Sequence, residues 1–126
     1  MRALRAVVVA GLLCAACGAA YPKAVVQHDE ALADSVFTNL AAGSAAQVAG
    51  QFDAEMATAL TPAKLGQAWS SVIAAEGAFQ KEGSPTAFSA RGDVVVDVPL
   101  SFAHGSRVGR VSFNGQGQVA GLFFLN

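Results

Sequence analysis

At 126 residues the chain has room for one domain. Charged residues make up 13% and hydrophobic ones 53%, with part of that apolar excess in the first twenty positions. From Cys17 onward six Lys/Arg stand against nine Asp/Glu, a net charge of −3 without a basic stripe, which argues against nucleic acid as a partner.

Residues 1–20 have the layout of an export signal. Arg2 and Arg5 form a positive start, Ala6 to Leu13 an apolar middle, and small residues follow. The apolar run of about fifteen residues is short of the ~20 that a bilayer requires, so a spanning anchor is not expected. Ala15-Ala16-Cys17-Gly18 resembles a bacterial lipobox, in which the Cys is lipidated on sulfur and becomes the new N-terminus. Cys14 departs from that pattern, where Leu is usual. Cleavage after Ala20, behind Gly18-Ala19-Ala20, is the alternative cut. Cys14 and Cys17 also spell C-x-x-C, but a redox motif belongs between a strand and a helix of a packed domain. Either cut leaves at most one Cys, so the fold must stand on its core alone.

The remaining chain, residues 21–126, reads as a single α+β domain. After a short tether at Tyr21-Pro22-Lys23, Ala24 to Ala42 is expected to be helical. Leu32, Val36 and Leu40 recur every four residues, with Val25, Ala33 and Phe37 widening the face. Acidic Asp29, Glu30 and Asp34 sit in its N-terminal half, as the helix dipole favours. Gly43 ends it. Ser44 to Gln47 spells a capping box for a second helix in two short pieces, the second capped by Asp53. The third helix has both ends written out. Thr61 is the N-cap, Pro62 takes the first position, and Gly77 ends it. Leu65, Ala68, Trp69, Val72 and Ile73 form its apolar stripe, which carries the single Trp of the chain. That helix is expected to lie across the core.

Beyond Gly77 the period changes to two. Ala78 to Phe88 is expected to be a strand interrupted at Gly83-Ser84-Pro85 by a bulge, an edge or a loop. Asp93 to Ala103 alternates Val94, Val96, Val98, Leu100 and Phe102 against Asp93, Asp97 and Ser101. Pro99, lacking an N–H, belongs at an edge, a bulge or a gap in pairing. His104-Gly105-Ser106 is the expected turn into Arg107 to Asn114. Asn114-Gly115-Gln116-Gly117 is a hairpin signal, leading to Val119 to Leu125. This last strand is apolar on both faces and needs a cover on each. The order is therefore three helices followed by three or four antiparallel strands, with the helices on one face of a curled sheet.

That order resembles the cystatin-like roll of the nuclear transport factor 2 and SnoaL-like superfamily. More narrowly, LAAGSAAQVAGQFDAEMATAL, LGQAWSSVIAAEGAF and VSFNGQGQVAGLFFLN resemble an uncharacterised bacterial extracytoplasmic domain family. The family occurs alone in lipoproteins or ahead of α/β-hydrolase domains. The resemblance implies a fold and no reaction, since it brings no catalytic residues to carry over.

Candidate chemistry is sparse. His28, among Gln27, Asp29 and Glu30, reads as solvated, and His104 as a turn residue. Two scattered His do not make a metal site, and no metal or cofactor is expected. Asp93 and Asp97 are separated by ~13 Å along one strand face, too far to share a proton. Enzymes on the roll it resembles place an Asp or His in the pocket between sheet and helices. Here the positions expected to point inward are Val, Leu and Phe, so no catalytic residue is nominated. Trp69, Phe79, Phe102 and Phe113 either line an apolar pocket or pack the core. The expected protein is an exported, lipid-anchored, non-catalytic domain. It would hold an apolar small ligand, or a second copy or envelope protein on its sheet face. The alternative is a small SnoaL-like enzyme with a pocket acid or base.

Overall fold

The computed structural model describes residues 21–126. The export signal, Cys17 and both expected cut sites lie outside the described residues. Helix α1 (Lys23–Ala41) starts behind Pro22, whose carbonyl accepts from the N–H groups of Val25 and Val26 at 3.0 and 3.1 Å. Gly43, at φ 80°, turns the chain out of it. Ser44 then occupies the N-cap of α2 (Ala45–Ala49), but its side chain makes no capping bond. Its ψ of 52° is far from the extended backbone that a cap adopts, so the expected capping box does not form.

The other two caps are made. Asp53 Oδ1 accepts from Met56 N–H at 2.8 Å to open α3 (Ala54–Ala59). Thr61 Oγ1 accepts from Lys64 N–H at 3.3 Å to open α4 (Pro62–Glu76). The described residues thus hold four helices for the expected three, the second being two separate short pieces as its sequence suggested. The break at residues 51–53 has a backbone cause. Val119 N–H donates to Gln51 O at 2.8 Å and Asp53 N–H to Val119 O at 2.9 Å, a parallel bridge that diverts these groups from any continuing helix.

The sheet is open, antiparallel and five-stranded, against an expectation of three or four. Strands β1 (Phe79–Glu82) and β2 (Thr86–Ala90) are the two halves of the interrupted segment, and both pair with β3 (Asp93–Phe102). Between them the chain crosses at Gly83, whose N–H donates to Pro99 O at 2.7 Å. The missing Pro99 N–H thus faces this gap in pairing. The next turn is Ala103-His104, so Gly105 and Ser106 already belong to β4 (Gly105–Phe113), earlier than expected.

Strand β5 (Val119–Leu125) closes the order β1/β2–β3–β4–β5. An irregularity between Ser112 and Phe113 shifts its register, so Val119, Leu122 and Phe124 join the core while Phe123 stays exposed.

All four helices contribute to one core with the inner sheet face. Among them α1 lies closest to the sheet, in place of α4 as expected. The reason is local. Gly109 carries no side chain, and the fully buried Phe37 ring fills the space a Cβ would need. No helix among the described residues is long and apolar enough to cross a membrane.

Candidate functional site

The inner face of β4 runs from Gly105 to Phe113, and its two ends are finished differently. At the Gly105 end, Trp69 from α4 meets Phe79, Phe102 and Phe124 at ring-centroid distances of 5.6, 5.8 and 5.8 Å. Phe79 and Phe102 also pack edge to face at 5.6 Å. Three of the four expected lining residues are therefore brought together, as a filled aromatic cluster. Phe113 is at the opposite end of β4, fully buried across from Val94 and Val119.

At the Phe113 end the β4–β5 hairpin projects towards the first turns of α1. Asn114 Oδ1 accepts from the N–H groups of Gln116 and Gln118, both at 3.0 Å, and Gly117 takes φ 77°. That side-chain bracket holds the hairpin in shape. Ala24, Val25, His28 and Asp29 of α1 and Gly115, Gln116 and Gly117 of the hairpin line an open surface cleft of about 340 Å³. Nearby, the Tyr21 hydroxyl donates to the Gly92 carbonyl and ties the start of α1 to the β2–β3 turn.

The wall residue that stands out is Asp29. Asp29 is 2% exposed, and its Oδ2, out of contact with solvent, has no hydrogen-bond partner among the described residues. His28 Nδ1 is 3.7 Å from Oδ1, beyond hydrogen-bond reach, and the imidazole side chain is 69% exposed. Burial pushes the Asp29 carboxyl above its ordinary value of 3.8, and His28 offsets that in part. A cavity of this volume is at the lower end for small-molecule sites. A carboxyl in its wall can accept from a ligand donor when ionised, or donate when protonated.

Asp29 was hidden in the sequence by its company. With Glu30 and Asp34 it reads as an acidic stretch suited to the helix dipole. Yet it stands four, seven, eight and eleven residues before Ala33, Val36, Phe37 and Leu40, all buried on the same stripe. That spacing was the available signal.

The other titratable candidates are engaged or exposed, except that Asp34 Oδ1 and Glu82 Oε1, like Asp29 Oδ2, are buried without a hydrogen-bond partner among the described residues. Asp97 accepts from Arg110 through two bonds of 2.7 and 2.8 Å on the outer sheet face, which keeps the guanidinium firmly charged. Arg107 Nε donates to Glu76 at 2.7 Å, joining the end of α4 to β4. His104 is exposed in its turn, its backbone N–H bonded to Glu76 O at 2.7 Å. Thr38 Oγ1 donates to Glu82 Oε2 at 2.7 Å where α1 meets β1, and burial raises the Glu82 carboxyl. Among the described residues no three His, Cys, Asp or Glu side chains converge as a metal would require.

Fold and site together define a small α+β domain with a carboxyl-walled cavity at one end of its sheet. Residues 33–122 match the family described as "Protein of unknown function (DUF3887)", and the chain belongs to that family. No curated protein and no solved structure matches the chain. The matched span holds the hairpin wall of the cavity but begins four residues after Asp29, so membership carries no statement about that carboxyl.

Proposed function

We propose that this is an exported, lipid-anchored and non-catalytic binding domain with the cystatin-like roll of the nuclear transport factor 2 and SnoaL-like superfamily. Its cavity between α1 and the β4–β5 hairpin takes a small ligand with an apolar body. The observation that carries the reading is the open cleft of about 340 Å³ between α1 and the hairpin, with the buried Asp29 carboxyl beside it. Packing alone gives no reason for an acid on a stripe of Ala, Val, Phe and Leu, because an unpaired buried polar group is unfavourable.

Export and anchoring rest on the order of Arg2, Arg5, the apolar run and Ala15-Ala16-Cys17-Gly18. The intact mass of protein extracted from membranes tests that part. Acyl chains on Cys17 are the expected result, and an unmodified chain starting at Tyr21 overturns it. Native mass spectrometry of the same material tests the cavity. A small molecule retained by the wild type and lost in Ala24→Phe, which fills the rim, is expected. Equal retention by both overturns the assignment of the site.

Asp29 also favours a second reading, a small SnoaL-like enzyme with this carboxyl as pocket acid or base. Its burial-raised proton affinity and the adjacent His28 are what general acid–base work uses. Recovery of the retained molecule in converted form, with conversion stopped by Asp29→Asn, selects the enzyme. Recovery unchanged selects the binding domain.

A protein partner has a separate surface. Phe88 and Phe123, 43% and 52% exposed, flank the Asp97–Arg110 pair on the outer sheet face, with the Arg110 guanidinium 5.4 Å from the Phe88 ring centroid. A second copy or an envelope protein on that face is tested by sedimentation, where a strict monomer removes the homodimer.

A further inference from the structure

We propose that the Asp34 and Glu82 carboxyls form a latch between α1 and the edge strand β1, shut while one proton bridges them and loosened once both are ionised. Two orphan oxygens meet at this seam. Asp34 Oδ1 and Glu82 Oε1 are both out of contact with solvent and without a hydrogen-bond partner among the described residues. Yet the two carboxyls stand within hydrogen-bond reach of each other. A pair of ionised carboxylates offers only acceptors and repels itself, so neither oxygen would be satisfied. One proton answers both, with Glu82 Oε1–H donating to Asp34 Oδ1. Glu82 Oε2 is already held, accepting from Thr38 Oγ1 at 2.7 Å.

No cation intervenes. From α1 the groups that act on Glu82 are Thr38 and Asp34, with Glu30 one turn ahead of Asp34. Strand β3 sets Leu100 opposite Glu82, while its Asp97 is engaged by Arg110 and its Asp93 lies at the far end, across from Ala90. Strand β2 carries no titratable side chain, Lys81 beside Glu82 is exposed, and Arg107 of β4 is bonded to Glu76. Burial raises the Glu82 carboxyl above its ordinary 4.5. The Thr38 bond offsets part of that rise, and the neighbouring Asp34 adds to it. The latch is therefore fully shut below the ordinary value and parts as pH rises through the raised one. Strand β1 is the element that can respond, being four residues long, at the sheet edge, and already shifted in register between Phe79 and Lys81.

The test follows hydrogen exchange of the Gly83 amide, which ties the end of β1 to Pro99 O at 2.7 Å, together with the carboxyl NMR signal of Glu82. In the full chain in detergent, Gly83 protection corrected for intrinsic exchange is expected to fall at least about threefold from about pH 4 to about pH 8. Glu82 is expected to titrate above 4.5 over the same range. Asp34→Asn and Glu82→Gln each put a permanent N–H donor in the seam, so both should keep Gly83 protection level across that range. Asp29→Asn, on α1 but outside the seam, should leave the fall intact. The latch is overturned by a wild-type Glu82 that titrates at or below 4.5, or by flat wild-type protection. A fall that survives in either seam variant, or one that Asp29→Asn abolishes, overturns it as well.

Discussion

The two ends of β4 present the same problem with opposite solutions. At Gly105 the helical layer is closed by Trp69, Phe79, Phe102 and Phe124, whose rings fill the space between α4 and the sheet. At Phe113 the layer is covered by the first turns of α1, where the stripe residue is Asp29 instead of an apolar side chain and about 340 Å³ is left beside it. A fold of this size depends on its core, and Phe113, Val94 and Val119 stay buried at this end, so the open cleft is outside the packed interior. The difference separates side chains that packing explains from one that packing does not.

The comparison is broken most directly at the closed end. Trp69→Ala removes the ring shared by three aromatic contacts and should destabilise the domain by about 3–5 kcal/mol in urea unfolding. A loss under about 1 kcal/mol would mean the cluster does not carry that end. Next in size is Gly109→Ala. Its methyl group would overlap the buried Phe37 ring, and about 1–3 kcal/mol of overpacking is expected. Phe37→Leu should recover part of that loss in a double-mutant cycle, whereas strict additivity would place the strain elsewhere. Smaller again is Thr61→Ala. The cap bond is 3.3 Å long, so a loss of about 0.5–1 kcal/mol is expected by the same measurement.

Most of the closed end was legible in the sequence. Thr61, Pro62 and Gly77 bracket α4 as their chemistry dictates, and the alternation from Val94 to Phe102 lies on the buried face throughout. What sequence reading missed depends on distant backbone. The face change in β5 follows from an irregularity opposite Ser112 and Phe113, and at residues 51–53, where Asp53 as a cap already marked the break between two short helices, the bonds to Val119 were hidden. Neither the irregularity nor the bridge to Val119 leaves a local mark, since Gln51-Phe52 and Val119-Ala120-Gly121 are acceptable in several conformations. The open end was nearly invisible for a related reason. A lone acid on an apolar stripe and an exposed hairpin become a site only when the fold sets them side by side.

The last prediction sharpens the comparison at that end, and its sign is opposite to the others. Burial raises the Asp29 carboxyl in the folded state above its ordinary 3.8, so the native protein holds that proton to higher pH than the unfolded chain does. The stability this contributes is fully present below the ordinary value. It is lost as pH rises from there through the raised folded value, because the unfolded chain ionises first. Asn has the shape of the protonated acid and does not titrate. Asp29→Asn should therefore match the wild type in urea unfolding at about pH 3.5 and be the more stable of the two at about pH 7. Glu82, also raised by burial, is present in both proteins and drops out of the difference. If the variant were instead the weaker at about pH 7, the carboxylate would have a working partner in His28. The pocket end would then be closed by an ion pair, as the far end is by rings.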